Sequence, residues 1–207
     1  MLELAQVAGF LAAAVLVTLA PGPDNLMVLS LGAARGRRHG VAFGLGCAAG
    51  CLSHTVLAAA GIGALVAASP LALLALKVAG GLYLAWLGIQ ILRHSALGAV
   101  PQAAARQSTR ALFVRGLVAS AVNPKVILFF LAFLPQFVVA GETPAAVQIL
   151  ALGALFAAQA ALLFGAIGLF AGTLGGWLAR SPKAGTWLNR AAGVTFIGLG
   201  ARLALGR

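Results

Sequence analysis

The sequence predicts an all-α integral membrane protein: six transmembrane helices arranged as two inverted three-helix repeats, with helices 1 and 4 broken at proline motifs. Three observations carry this. First, 62% of the 207 residues are hydrophobic and only 8% are charged. Soluble domains carry about 25% charged residues, so these few charges cannot cover a water-facing surface. Second, the apolar residues fall in runs of about 20 or more, the length that crosses a bilayer as a helix. Strand-type alternation is nearly absent, which disfavours a barrel. Third, the chain divides into two halves that each begin with an apolar run interrupted by proline and a polar cluster.

The first run covers residues 4–34 and is interrupted at Pro21-Gly22-Pro23-Asp24-Asn25. Met1-Leu2-Glu3 offers no positive n-region, so the expectation is that this segment is retained as a membrane helix and not cleaved as a signal peptide. Arg35-Gly36-Arg37-Arg38-His39 is expected to form a basic loop. The second run is 41–69, with Ser53-His54-Thr55 at its polar centre. Pro70 opens the third, which extends to residue 92 and contains Lys77. Residues 93–110 form a polar, Ala-rich linker with Pro101. The fourth run, 111–141, is interrupted at Asn123-Pro124-Lys125, and Glu142-Thr143-Pro144 is a turn. The fifth, 145–179, has no charge and exceeds one straight span, so tilt or extension into the interface is expected. Arg180-Ser181-Pro182-Lys183 separates it from the sixth, 186–206. Trp86, Trp177 and Trp187 lie near segment ends, as interfacial anchors do.

Charge placement sets orientation. Of 14 Lys and Arg, Arg35, Arg37, Arg38, Arg93, Arg106, Arg110, Arg115, Arg180, Lys183 and Arg190 fall on one side. Arg202 and Arg207 lie opposite, and Lys77 and Lys125 sit inside apolar runs. The crowded side is expected to be cytoplasmic, which puts both termini outside unless the Pro21–Pro23 break turns the first segment back. The same distribution explains the net charge of +11 without a nucleic-acid partner. The expected organisation is one membrane domain over 1–207: repeat one about 1–95, a cytoplasmic linker about 96–110, repeat two about 111–207. Three spans per half is an odd number, so the halves have opposite orientation. Inverted repeats with matching broken helices are a transporter signature.

The breaks are where chemistry is expected. Pro21, Pro23 and Pro124 remove backbone donors, and freed carbonyls in lipid must find partners or bind substrate. Asp24 is an acid inside an apolar run, costing about 2.5–3.5 kcal/mol on insertion scales; such residues point to function, although capping the second half-helix explains Asp24 too. Lys125 is too deep to snorkel easily and is expected to offset Asp24 across the repeat axis. Lys77 and His54 are accessory candidates, each with a structural reading: snorkelling for Lys77, an interhelical hydrogen bond for His54. Gln90, Gln159 and Asn189 are either pore-lining or interhelical bonds.

Other patterns carry less. Gly44-Leu45-Gly46-Cys47-Ala48-Ala49-Gly50 resembles a dinucleotide loop but has no preceding strand. Gly40/Gly44, Gly46/Gly50 and Gly168/Gly172 are small-xxx-small pairs that allow close helix approach or a homodimer. Cys47 and Cys51, spaced C-x3-C, indicate neither a redox motif nor zinc. No catalytic group, metal site, cofactor or nucleotide motif is predicted.

Taken together, Pro21-Gly22-Pro23-Asp24, the segment from Gly36 to Gly40, the segment from Lys77 through Gly88, Asn123-Pro124-Lys125 and Phe133-Leu134-Pro135-Gln136-Phe137 resemble the LysE/RhtB family of bacterial amino-acid exporters over nearly the whole chain. The resemblance implies six helices in the inner membrane and proton-driven export of amino acids or close derivatives. It also suggests that Asp24 and the Asn123-Pro124-Lys125 break belong to the transport site; with the residues of the first break, the expected substrate-binding set is Pro21, Gly22, Pro23, Asp24, Asn25, Asn123, Pro124 and Lys125. The rival reading is a metal-ion or small-cation exporter on the same scaffold, whose ligand pool would be Asp24, His54, Cys47 and Cys51. A membrane carrier for disulfide exchange fits less well, because neither proline break contains a cysteine.

Overall fold

The computed structural model describes residues 3–68, 70–93, 107–139 and 143–205, all in helices and their connections with no strand among them. In chain order the helices are α1 (Leu4–Leu19), α2 (Pro23–Arg35), α3 (Arg37–Ala68), α4 (Pro70–Arg93), α5 (Thr109–Ala121) and α6 (Pro124–Leu128). A π turn (Phe129–Phe133) and a 3-10 turn (Leu134–Phe137) follow, then α7 (Ala145–Leu169), α8 (Ala171–Arg180) and α9 (Pro182–Leu205). Most of the expected linker, Glu142 and Arg207 lie outside the described residues. Among the described residues two helices, α3 and α7, are long and apolar enough to cross a membrane; counting each bent pair as one span gives four. Large apolar side chains face outward, Leu162 at 75% and Leu71 at 73% exposure, a surface suited to lipid and not to water.

Both interrupted runs bend at their proline motifs. α1 and α2 meet at 59°, and α5 meets the segment Pro124–Phe137 at 49°. In each, proline takes the first helical position, where its missing N–H is harmless and its fixed φ is already helical. The π turn after α6 ends where Pro135 removes another donor, and the chain tightens into the 3-10 turn.

Two expectations need correction. The basic stretch is not a loop: Arg35 closes α2 and Arg37-Arg38-His39 open α3, leaving Gly36 alone between them. Gly36 has φ +92°, which an L side chain rarely adopts, so one glycine makes the whole turn. The fifth run does not simply tilt. It breaks at Phe170, and α8 packs against α2, with Ala171 beside Gly32. The physical reason is length: 35 uncharged residues exceed the hydrocarbon core, and apolarity encodes burial but not axis direction.

Glycines set the helix crossings. α3 and α5 run parallel: a Cβ on Gly46 would lie 2.0 Å from the Phe113 carbonyl oxygen, and one on Gly50 2.5 Å from that of Leu117. α3 and α7 run antiparallel, through Gly44 against Phe164 and Gly153 against Thr55. α4 and α9 also run antiparallel, Gly81 facing Gly200 and Gly88 facing Gly193 reciprocally. Gly172, expected to pair with Gly168 in close packing, faces open space. Gly46→Ala therefore forces α3 and α5 apart, and we expect a loss of about 1–3 kcal/mol, seen as a lower thermal midpoint in detergent. Gly165→Ala is the control, since its added Cβ meets nothing within 4 Å. Equal midpoints would remove the close-packing account.

Candidate functional site

The two breaks meet inside the bundle. Each places an N-cap, a proline and then a charged residue in register: Gly22-Pro23-Asp24 opens α2, and Asn123-Pro124-Lys125 opens α6. Asp24 is 3% and Lys125 6% exposed. Asn123 joins them: its Nδ2 donates to Asp24 Oδ2 at 2.8 Å, and its Oδ1 accepts from the Lys125 backbone N–H at 3.0 Å. Asp24, in the first turn of α2, also lies at the positive end of that helix's dipole.

The break in the first run explains where Lys125 points. Pro21 has no N–H, so the Val17 carbonyl four residues earlier loses its helical donor. Lys125 Nζ fills that place, donating to Val17 O at 3.2 Å and Ala20 O at 3.3 Å. A cation at the C-terminal, negative end of α1 is favourable. Gly22 leaves room for it, since a Cβ there would sit 3.0 Å from Nζ. Asn25 Nδ2 donates to the next orphan, Thr18 O, at 2.7 Å.

The second break follows the same rule. Pro124 cannot donate to Ser120 O. That carbonyl accepts from the Asn123 backbone N–H at 3.0 Å and from His54 Nε2 at 3.1 Å. A carbonyl only accepts, so Nε2 carries a proton. His54 is thus held by the interhelical bond that was its structural reading. Lys77 is partly buried on α4 and is not among the residues lining the cavity described next.

Between the breaks lies a cavity of about 10 Å³ lined by Val17, Thr18, Asp24, Cys51, Ser120, Lys125, Val126, Phe156 and Phe164. That is room for about one water. Polar side chains (Thr18, Asp24, Ser120, Lys125) and apolar ones both contribute to its lining. On one flank, Phe129 and Phe130 of the π turn stack around Phe156 at 5.0 Å, and Phe133 and Phe137 continue the cluster to Phe10. Beyond them Gln148 holds the chain after the 3-10 turn, bonding both backbone groups of Val139 and the Thr143 carbonyl. Gln6 bonds Gln148 and the Phe137 carbonyl.

Sequence reasoning missed the roles of Thr18 and Ser120 and left that of Gln159 open. Gln159 Nε2 donates to Thr18 Oγ1 at 2.8 Å across α7 and α1. The available signal was spacing: Val17 and Ser120 lie four residues before prolines, where a carbonyl loses its donor. Cys47 and Cys51 are buried free thiols, and Cys51 donates to Cys47 O at 3.4 Å. Among the described residues no group of three or more His, Cys, Asp or Glu is placed to hold a metal ion.

Several known proteins are similar to this chain over nearly its whole length. An uncharacterized membrane protein of Vibrio cholerae is 37% identical over 198 residues, covering 94% of each chain. A homoserine/homoserine lactone efflux protein of Salmonella typhimurium is 33% identical, covering 96% of this chain and 95% of its own. A leucine efflux protein of Enterobacter sp. is 29% identical, covering 94% and 93%. No solved structure matches the chain. The family described as LysE type translocator matches residues 15–207, and the chain belongs to that family.

Proposed function

We propose that the chain is a secondary active exporter of amino acids or close derivatives in the bacterial inner membrane. The observation that carries this is the meeting of the two proline breaks, where Asp24, Asn123 and Lys125 from opposite halves share one buried site. The relatives named as homoserine and leucine efflux proteins support the substrate class. Lys125 and half-helix amides face the substrate carboxylate, and Asp24 faces its ammonium or exchanges a proton. The sequence has only three acids, Glu3, Asp24 and Glu142, and Asp24 alone lies within a broken helix, so coupling to the proton-motive force is assigned there.

In this reading the chain is a single membrane domain of six spans in two inverted repeats, with repeat one about 1–95 and repeat two about 111–207. The parallel α3 and α5 and the antiparallel α4 and α9 support it: second and fourth spans share a direction, third and sixth oppose. The basic helix ends and connections are cytoplasmic and both termini periplasmic. A cavity with room for about one water is too small for an amino acid, so transport requires the broken elements to move against the rest, exposing the site to each side in turn.

The test is efflux from preloaded vesicles containing the purified protein, with labelled amino acids and divalent metals offered with and without a pH gradient. Gradient-dependent movement of an amino acid is expected. Movement of divalent metals alone would favour the cation-exporter alternative.

A further inference from the structure

We infer that Asn25 and Gln159, together with Asp24, form the subsite for the substrate's α-ammonium group, and that this subsite admits one positive charge, selecting amino acids with neutral side chains. The inference rests on the exporter reading and names the residues of its site.

Two buried acceptors point to it. Asn25 Oδ1 and Gln159 Oε1 have no hydrogen-bond partner, although each side chain is only 9% exposed. Buried polar atoms without partners are uncommon and destabilising. Both amides are tethered to the same residue: Asn25 Nδ2 to Thr18 O, Gln159 Nε2 to Thr18 Oγ1. The Thr18 carbonyl can only accept, so the Asn25 amide must present its nitrogen there and its oxygen elsewhere. Thr18 and Asp24 line the cavity, as does Phe156 one turn before Gln159 on α7. An ammonium has three N–H donors and no acceptor. Two amide oxygens and one carboxylate oxygen match that count.

The charge balance gives the selectivity. Asp24 supplies one negative charge and Lys125 one positive, which suits a zwitterion's two ends. A second substrate cation would need another anion in a site with low dielectric. The apolar lining of Val126, Phe156 and Phe164 suits an uncharged side chain.

The experiment is counterflow into vesicles with labelled L-leucine and labelled L-homoserine. Each is competed by itself, by its 2-hydroxy analogue lacking the ammonium, and by L-lysine. For the wild type, the hydroxy analogue should compete at least about tenfold more weakly than the amino acid, the size of one charge-assisted bond. L-Lysine should not compete. In Gln159→Met the half-saturation of the amino acid should rise about tenfold while that of the analogue stays put. Gln159→Glu adds a second anion, and lysine should become a competitor, a gain that misfolding cannot mimic. Equal competition by the hydroxy analogue in the wild type overturns the subsite, as does an unchanged ratio in folded Gln159→Met. Lysine transport by the wild type overturns the selectivity. Movement of no amino acid at all overturns the exporter reading and this assignment with it.

Discussion

Asp24→Asn is expected to abolish gradient-driven export and to leave a folded membrane protein. The substitution keeps the side chain's size and an oxygen that can accept from Asn123 Nδ2, the 2.8 Å bond that ties the two breaks. What it removes is the charge and the titrating proton. Losing a charge-assisted bond to a substrate ammonium costs about 1.5–3 kcal/mol, or about 10–150-fold at 1.4 kcal/mol per tenfold. Losing the exchangeable proton removes the coupling as well, so the pH gradient should no longer accelerate whatever exchange survives. The measurement is efflux with and without the gradient, beside a thermal midpoint of the purified variant. Normal export by a folded Asp24→Asn protein would sink the role assigned to Asp24.

Lys125→Met should be the most destabilising single change at the site. It strands three groups at once. Val17 O and Ala20 O lose their donor, and Asp24 remains a buried carboxylate without a nearby cation. Each buried acceptor left without a partner costs about 1–3 kcal/mol, and the buried carboxylate adds to that. Methionine nearly matches the stem of lysine, so packing loss is minor and the effect is electrostatic. The double variant Asp24→Asn/Lys125→Met should then recover part of the loss, because the stranded charge is gone while the two carbonyls still lack a donor. Thermal midpoints of the four proteins in detergent close the cycle. Simple additivity would mean that Lys125 acts through its carbonyl bonds alone.

Much of the candidate site's geometry was legible in the sequence because prolines and charges inside apolar runs are local signals. Pro21, Pro23 and Pro124 mark where helices must bend, and Asp24 and Lys125 stand out against their surroundings by type alone. That Asp24 and Lys125 approach one another was inferred from matching positions in two halves. What could not be read was the intermediary: Asn123 joins the pair through both ends of its amide, which depends on tertiary placement. The same limit hid Thr18 and Gln159. A threonine or glutamine in an apolar helix looks alike whether it serves the fold or a ligand, and only its partner distinguishes them. The split of α7 from α8 at Phe170 was missed because the run 145–179 contains no proline or charge to mark a break. The single-residue turn at Gly36 was masked by its arginines, whose charge suggests a loop even though the side chains sit at two helix ends.

The crossed satisfaction of the two breaks bears on how the protein is made. Val17 O and Ala20 O, exposed by prolines in the first half, are met by Lys125 of the second. Ser120 O, exposed by proline in the second half, is met by His54 of the first. During synthesis the first half therefore waits in the membrane with open carbonyls and a lone carboxylate until the second arrives. The Ser120 carbonyl keeps the Asn123 N–H of its own half, so the dependence weighs on the first half more than on the second.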